Sequence, residues 1–340
     1  MRRSLIAVLA LSAAALAPAQ QSSGYHVVRR YRLGGEGGWD YLSLDPAARR
    51  LYVSRSTRVV VIDADSGATV GEIPNTPGVH GVALAPDLGR GATSNGRDQS
   101  VTLFDLHSLQ PLGRVRTTGG NPDAILYEPA THRVFTFNGA GENATAIDPA
   151  AGTVAGTVAL GGKPEFAVAT GDGRIYVNIE STAELVRLDA RALTVTARWP
   201  LAPCADPTGL SLDATHARLF VGCSNRLMMV VDAASGRLVA TLPIGGGVDG
   251  TAFDPGTGLA FSSNGEGTLT VIREASPDSF AVVENVSTQR GARTLALDPR
   301  THTLFLAAAE FGPAPTPTPE QPRPRPTIVP GSFVILVVGR

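Results

Sequence analysis

The chain has 340 residues, 29 of them basic and 30 acidic, for a net charge of −1 with neutral histidines. So even a balance gives no bulk field for a nucleic acid or an anionic bilayer, and neither is expected as a partner. The only two cysteines, Cys204 and Cys223, form no CxxC or CxxCH pair, so thioredoxin-like redox chemistry and covalent haem lack support.

The first element is residues 1–19, which have a secretory layout. Arg2 and Arg3 form a basic start, Leu5 to Leu16 are almost wholly apolar, and Ala17-Pro18-Ala19 supplies small residues for cleavage after Ala19. The apolar run is too short for a stable membrane span, and no cysteine follows the cleavage site to carry a lipid. The expected product is a soluble periplasmic or secreted protein, one domain over residues 20–340.

Beyond it, Tyr25 to Leu33 (YHVVRRYRL) reads as a strand with no partners before it. Short apolar strands then run into Asp-Pro-like turns at Asp45, Ala85, Glu128, Thr170, Asp213, Asp254 and Asp298, with steps of 40, 43, 42, 43, 41 and 44. A fixed period in this range with strand-type content predicts an all-β, seven-bladed β-propeller of four-stranded blades. The fifth repeat shows the strand logic: TGLSL, RLFVG, LMMVVD and RLVATLPI are separated by turns rich in Gly, Asp and Asn. The last repeat has only three strands, at Thr294 to Leu297, Thr303 to Ala308 and Phe333 to Val338. The N-terminal strand is therefore expected to complete it, leaving no open sheet edge. This repeat also carries a Pro-rich insertion, residues 312–331, with eight prolines between its second and third strands. It is a candidate lid over the mouth, with Arg323 and Arg325 supplying positive charge.

The segments IYVN (Ile175 to Asn178), LYVS (Leu51 to Ser54), LFVG (Leu219 to Gly222), VVVIDADSG (Val59 to Gly67) and VVDAASGRLVATLPIG (Val230 to Gly245) resemble the YVTN-type (YncE-like) family of β-propellers. The resemblance covers residues 25–340. It implies the propeller fold and frequent export, in a setting that includes both binding proteins and lactonase-like enzymes.

In a propeller, the residue just ahead of each innermost strand looks into the mouth of the central channel. Aligning the repeats there gives Asp40, His80, Asp123, Glu165, Thr208, Asp249 and Arg293. Converging carboxylates can hold a hard divalent ion such as calcium or magnesium, with Asp123, Glu165 and Asp249 as the expected ligands. They can also raise one another's pKa into the acid–base range. Trp39, beside Asp40, offers either a stacking wall for a ligand or a wedge between blades 1 and 7. A second tier of polar residues ends the second strands: Ser54, Asn95, Asn138, Asn178, Asn225, Asn264 and Glu310. Histidines 132, 216 and 302 fall in turns on the opposite face and read as structural, as do His26 and His107.

Cys204 and Cys223 flank antiparallel neighbours in the fifth repeat, so an oxidising compartment favours a disulfide between them. The leading functional expectation is a monomeric, non-catalytic propeller that binds a small polar ligand, a metal ion or an envelope protein at this mouth. The alternatives are a lactonase-like hydrolase or lyase, with His80 as base and Arg293 as electrophilic clamp, and a structural envelope protein. An axis filled with apolar side chains would favour the last. No Walker loop, HExxH, GxSxG or dinucleotide fingerprint points elsewhere.

Overall fold

The computed structural model describes residues 22–318, 324 and 326–340. Residues 1–19, expected to be a secretory segment, and the two arginines of the candidate lid, Arg323 and Arg325, lie outside them. The described residues form seven antiparallel sheets of four strands each. Their innermost strands are Leu42–Asp45, Val79–Ala85, Pro122–Glu128, Pro164–Ala169, Pro207–Asp213, Val248–Asp254 and Leu295–Asp298. Each packs beside the next, and the last packs beside the first, so the blades close into a ring in chain order. Two short 3-10 turns, Pro86–Leu88 and Glu180–Thr182, are the only helical pieces among the described residues.

The alternation of the strands explains the packing. The third residue of the second strand is a fully buried aromatic in six blades: Tyr52, Phe135, Tyr176, Phe220, Phe261 and Phe305. Burying each contributes on the order of 1.5–3 kcal/mol, and each fills the wedge against a neighbouring blade. Blade 2 has Ala92 there instead, packed with Leu103 toward blade 3, and on the other face of the sheet Phe104 packs toward Tyr52 of blade 1. It can do so because position 91 is glycine, where a Cβ would lie 2.1 Å from the Phe104 ring.

The seventh blade closes as its missing strand predicts. His26–Arg32 pairs antiparallel with Val334–Gly339, with His26 opposite Gly339 and Arg32 opposite Val334. The Pro-rich insertion starts as a hairpin stem, with a bridge between Phe311 and Ile328 and bonds from Gly312 N to Thr327 O (2.8 Å) and Val329 N to Glu310 O (2.9 Å).

Cys204 and Cys223 form a disulfide, their Cα atoms 5.4 Å apart and 19 residues apart in sequence. Loop-closure entropy for such a spacing is worth ~3 kcal/mol. The double variant C204S/C223S should therefore lose about that much in urea unfolding, and an unchanged midpoint would show the bond to be thermodynamically idle.

Candidate functional site at the channel mouth

The strands that carry five of the seven mouth residues share an irregularity. In blades 2 to 6 the innermost strand pairs once, at Val79, Pro122, Pro164, Pro207 or Val248, and then slips register before pairing resumes. His80, Asp123, Glu165, Thr208 and Asp249 each sit immediately after that first pair. A bulge kinks the strand and re-aims the side chain at its apex, here toward the axis. The main chain is held from the neighbouring blade. Ser94 Oγ donates to Asp123 O, Asn178 Nδ2 to Thr208 O (2.8 Å), Ser263 Oγ to Arg293 O and Thr294 Oγ1 to Asp40 O (2.9 Å).

Five of the seven mouth residues form one charged network, and Glu165 a separate ion pair. His80 Nδ1 lies 2.6 Å from Asp40 Oδ2 and 3.5 Å from Asp123 Oδ1. Arg293 bridges Asp249 (Nε to Oδ2, 3.2 Å) and Asp40 (Nη2 to Oδ1, 3.5 Å). Glu165 pairs with Lys163 at 3.1 Å, and Lys163 in turn meets Glu180. Thr208 stands apart, because its hydroxyl donates to Val248 O (3.0 Å) and serves as a link between blades.

Burial sets the electrostatics of these residues. It pushes the Asp249 carboxyl up to about 7; Arg293 opposes the rise, while Asp40 and Asp123 add to it. Burial likewise lifts Asp123 to about 7 against the pull of His80, and Glu165 to about 7 against that of Lys163. For His80 burial works downward, but the hydrogen bond to Asp40 and the charges of Asp123, Asp40 and Glu165 outweigh it and raise the imidazole to about 8. Asp123 Oδ1 is buried and accepts no hydrogen bond. One donor atom each from Asp40, His80 and Asp123 lie within 4.8 Å of one another.

Beneath the ring the channel narrows. Tyr41 and Phe166, one residue below Asp40 and Glu165, meet edge-on with centroids 5.2 Å apart. Their blades, the first and fourth, are not neighbours, so this contact crosses the axis and makes the mouth a cup rather than an open pore. Beside the cup lies a cleft of ≈ 1170 Å³, whose walls include Trp39, Gln289, Arg290, Arg293, Glu310 and Phe311. Trp39 does wedge between blades 1 and 7, with ring centroids 5.3 Å from Phe333 and 6.0 Å from Phe311. Its indole Nε1 is buried without a partner beside the same cleft.

The asparagines of the second tier are structural, whereas Glu310 lines the cleft. Asn95, Asn138 and Asn264 are fully buried and tie down the start of the next strand, Asn95 through Ser100 and Thr102, Asn138 through Asn143 and Thr145, Asn264 through Thr268 and Thr270. Asn225 braces the loop at Pro203 and Ala205. Of the turn histidines, His132 and His302 reach to Asp87 and Asp254 of the preceding blade, both at 2.8 Å.

The alignment did not single out Lys163, Glu180, Tyr41, Phe166 or Gly96. Gly96 leaves room for His80, whose Nε2 would lie 2.6 Å from a Cβ there. Lys163 carried a signal of its own, as the single lysine of a chain whose other basic residues are arginines.

No protein-family model matches the chain, and no curated protein matches it in sequence. Solved structures do match in shape. The chain is similar to one in the crystal structure of the mitotic checkpoint complex, with a TM-score of 0.74 at 14% identity, covering 100% of this chain and 99% of that one. It is similar to the RRP9 WD40 repeats, with a TM-score of 0.75 at 11% identity, covering 93% and 98%. It is also similar to hydrazine synthase of Kuenenia stuttgartiensis, with a TM-score of 0.70 at 14% identity, covering 79% and 92%. These likenesses show the fold alone, a seven-bladed β-propeller.

Proposed function

We propose that this chain is an exported, non-catalytic binding propeller of the YVTN type. Its mouth takes a divalent cation on Asp40, His80 and Asp123, and the adjoining cleft takes a small polar ligand against Arg293 and Trp39. The observation that carries this reading is the convergence of one donor atom from each of Asp40, His80 and Asp123 within 4.8 Å, around a buried carboxylate oxygen that accepts no hydrogen bond and meets His80 Nδ1 only at 3.5 Å. A blade needs no charge at this position to fold, and buried carboxylates raise its cost, so their presence favours a ligand. The imidazole moves the preferred ion from calcium or magnesium toward manganese or zinc. Glu165 and Asp249, already paired with Lys163 and Arg293, supply charge around the ion. The disulfide supports an oxidising, extracytoplasmic setting.

Thermal unfolding with each of the four ions tests the reading. Saturation a hundredfold above Kd should add ~2.7 kcal/mol of stability, and H80A and D123N should each abolish the shift caused by the mouth ion. Wild-type, H80A and D123N proteins that respond alike would overturn it.

One observation favours catalysis as a second reading: His80 is oriented by Asp40 at 2.6 Å, the pairing a general base requires. With its pKa raised to about 8 the imidazole holds its proton at neutral pH. Such an enzyme would gain activity as pH climbs past that value.

A further inference from the structure

On the face opposite the mouth, two departures from the seven-fold repeat meet between blades 5 and 6. The first concerns the turn after the innermost strand. In blades 1, 3 and 7 the fourth residue past the acidic anchor is Arg49, His132 or His302, with φ of 56°, 51° and 57°, and each reaches to an acid of the preceding blade. In blade 5 that position is Ala217, also left-handed at φ 53°. The histidine falls one residue earlier, at His216, and turns to Asp213 of its own turn (Nδ1 to Oδ2, 2.6 Å) and to Glu274 of blade 6 (Nδ1 to Oε1, 3.1 Å).

The second departure is Glu274 itself. The residue at the end of the third strand whose amide donates to the preceding turn is Ala64, Leu106, Ala190 and Ala233 in blades 1, 2, 4 and 5, bonding Arg49, Gly89, Gly173 and Ala217. Glu274 makes the same bond, to Gly258 O at 2.9 Å, so it occupies a position that those four blades fill with an aliphatic side chain. Its side chain is only 3% exposed; Oε2 is buried without a partner, and the contact of Oε1 is His216 Nδ1. The nearby Arg218 does not satisfy Oε2. Its donors go to Pro277 O, His216 O, Ala217 O, Asp232 and Asp278. That pattern instead locks the turn carrying His216 to the hairpin following Glu274.

We infer that Asp213, His216 and Glu274 form a second metal site, for a divalent ion of the zinc class, bridging blades 5 and 6. One donor atom from each lies within 4.8 Å of the others. An ion bound tetrahedrally at about 2.0–2.1 Å needs donors about 3.3 Å apart. The present contacts of 2.6 and 3.1 Å open to that by a few tenths of an ångström as the ion replaces the proton on Nδ1. One imidazole nitrogen and two carboxylates suit zinc, cobalt or manganese better than calcium. His216 is 42% exposed at its side chain, which leaves the fourth position to water.

Equilibrium dialysis against Zn²⁺, with Co²⁺ visible absorption as a geometric readout, tests this on the full mature chain. H80A protein, altered at the mouth, should still bind one equivalent of Zn²⁺ and give a tetrahedral Co²⁺ spectrum. H216A should weaken this site by roughly 100-fold, and E274Q, which keeps the side-chain shape, by roughly 10-fold. Full binding by H80A/H216A protein, or none by H80A protein at millimolar Zn²⁺, would overturn the site. If only the mouth proposal fails, wild-type protein binds a single equivalent that H216A removes and H80A does not.

Discussion

A chain lacking residues 22–32 should show no cooperative unfolding transition. The deletion removes the whole fourth strand of blade 7 and exposes the edge Val334–Gly339. It also removes two anchors that fasten this blade to its neighbours. Tyr25, 2% exposed, packs edge-on against Phe261 of blade 6 at 5.1 Å. Tyr31, 7% exposed, donates to Ala64 O and Asp65 O of blade 1 at 3.0 and 2.9 Å. Two buried aromatics at about 1.5–3 kcal/mol each, with a full ladder of backbone bonds, rival the whole stability of an ordinary domain. Moving the same strand to follow Arg340 through a short turn should restore folding, because Gly24 already lies against Arg340. Circular dichroism melts of the three chains check this. A wild-type melt from the deleted chain would show that the ring does not depend on its closing strand.

The second large effect is a loss of stability as pH rises from about 4 to about 8. A carboxyl whose pKa is raised on folding binds its proton more tightly in the folded state. Its contribution is full below the unfolded pKa and is lost as pH climbs through the folded one. For Asp249, lifted from 3.8 to about 7, the change corresponds to about 4 kcal/mol as an upper figure. Asp123 and Glu165 act in the same sense over the same window. His80, raised to about 8, stabilises below its unfolded value and loses that contribution at the upper end. Below about pH 4 the sign reverses, because depressed carboxylates such as Asp298, bonded to Arg49, must then be protonated. The variant D249N should accordingly be more stable than wild type near pH 8 and nearly equal to it near pH 5. Urea midpoints at about those two pH values measure this directly. Parallel pH dependence in both proteins would show that Asp249 ionises freely in the folded cup. Stabilisation on removing a mouth charge is also what a binding site traded against stability should give.

The fold was legible because its signals are local and repeated. Asp-Pro turns, Val-rich strands and the missing last strand each appear in the sequence at their own position, and His26–Arg32 sits where that arithmetic puts it. The mouth was legible only by position. The alignment collected Asp40, His80 and Asp123, yet it put Thr208 in the same class, where the bulge turns the hydroxyl onto the next blade's backbone. It could not foresee Lys163, two residues before its partner Glu165, or the contact between Tyr41 and Phe166, whose 5.2 Å approach depends on the diameter of a seven-blade ring. Glu274 shows the same limit. Nothing in VIREAS marks it as buried, because its burial comes from a turn some sixty residues earlier in the chain.

The pairing of His26 with Gly339 also sets an order of events. Six blades can assemble from neighbouring segments as the chain is made, but the first strand produced must wait for nearly the last residues before it finds its place. During that interval the strand is an unpaired edge able to bind other chains. Loss of the final strand, Val334–Gly339, would leave it in that state permanently. Arg29, Arg30 and Arg32, spaced along its exposed surface, are the kind of charged guard that makes such a wait survivable.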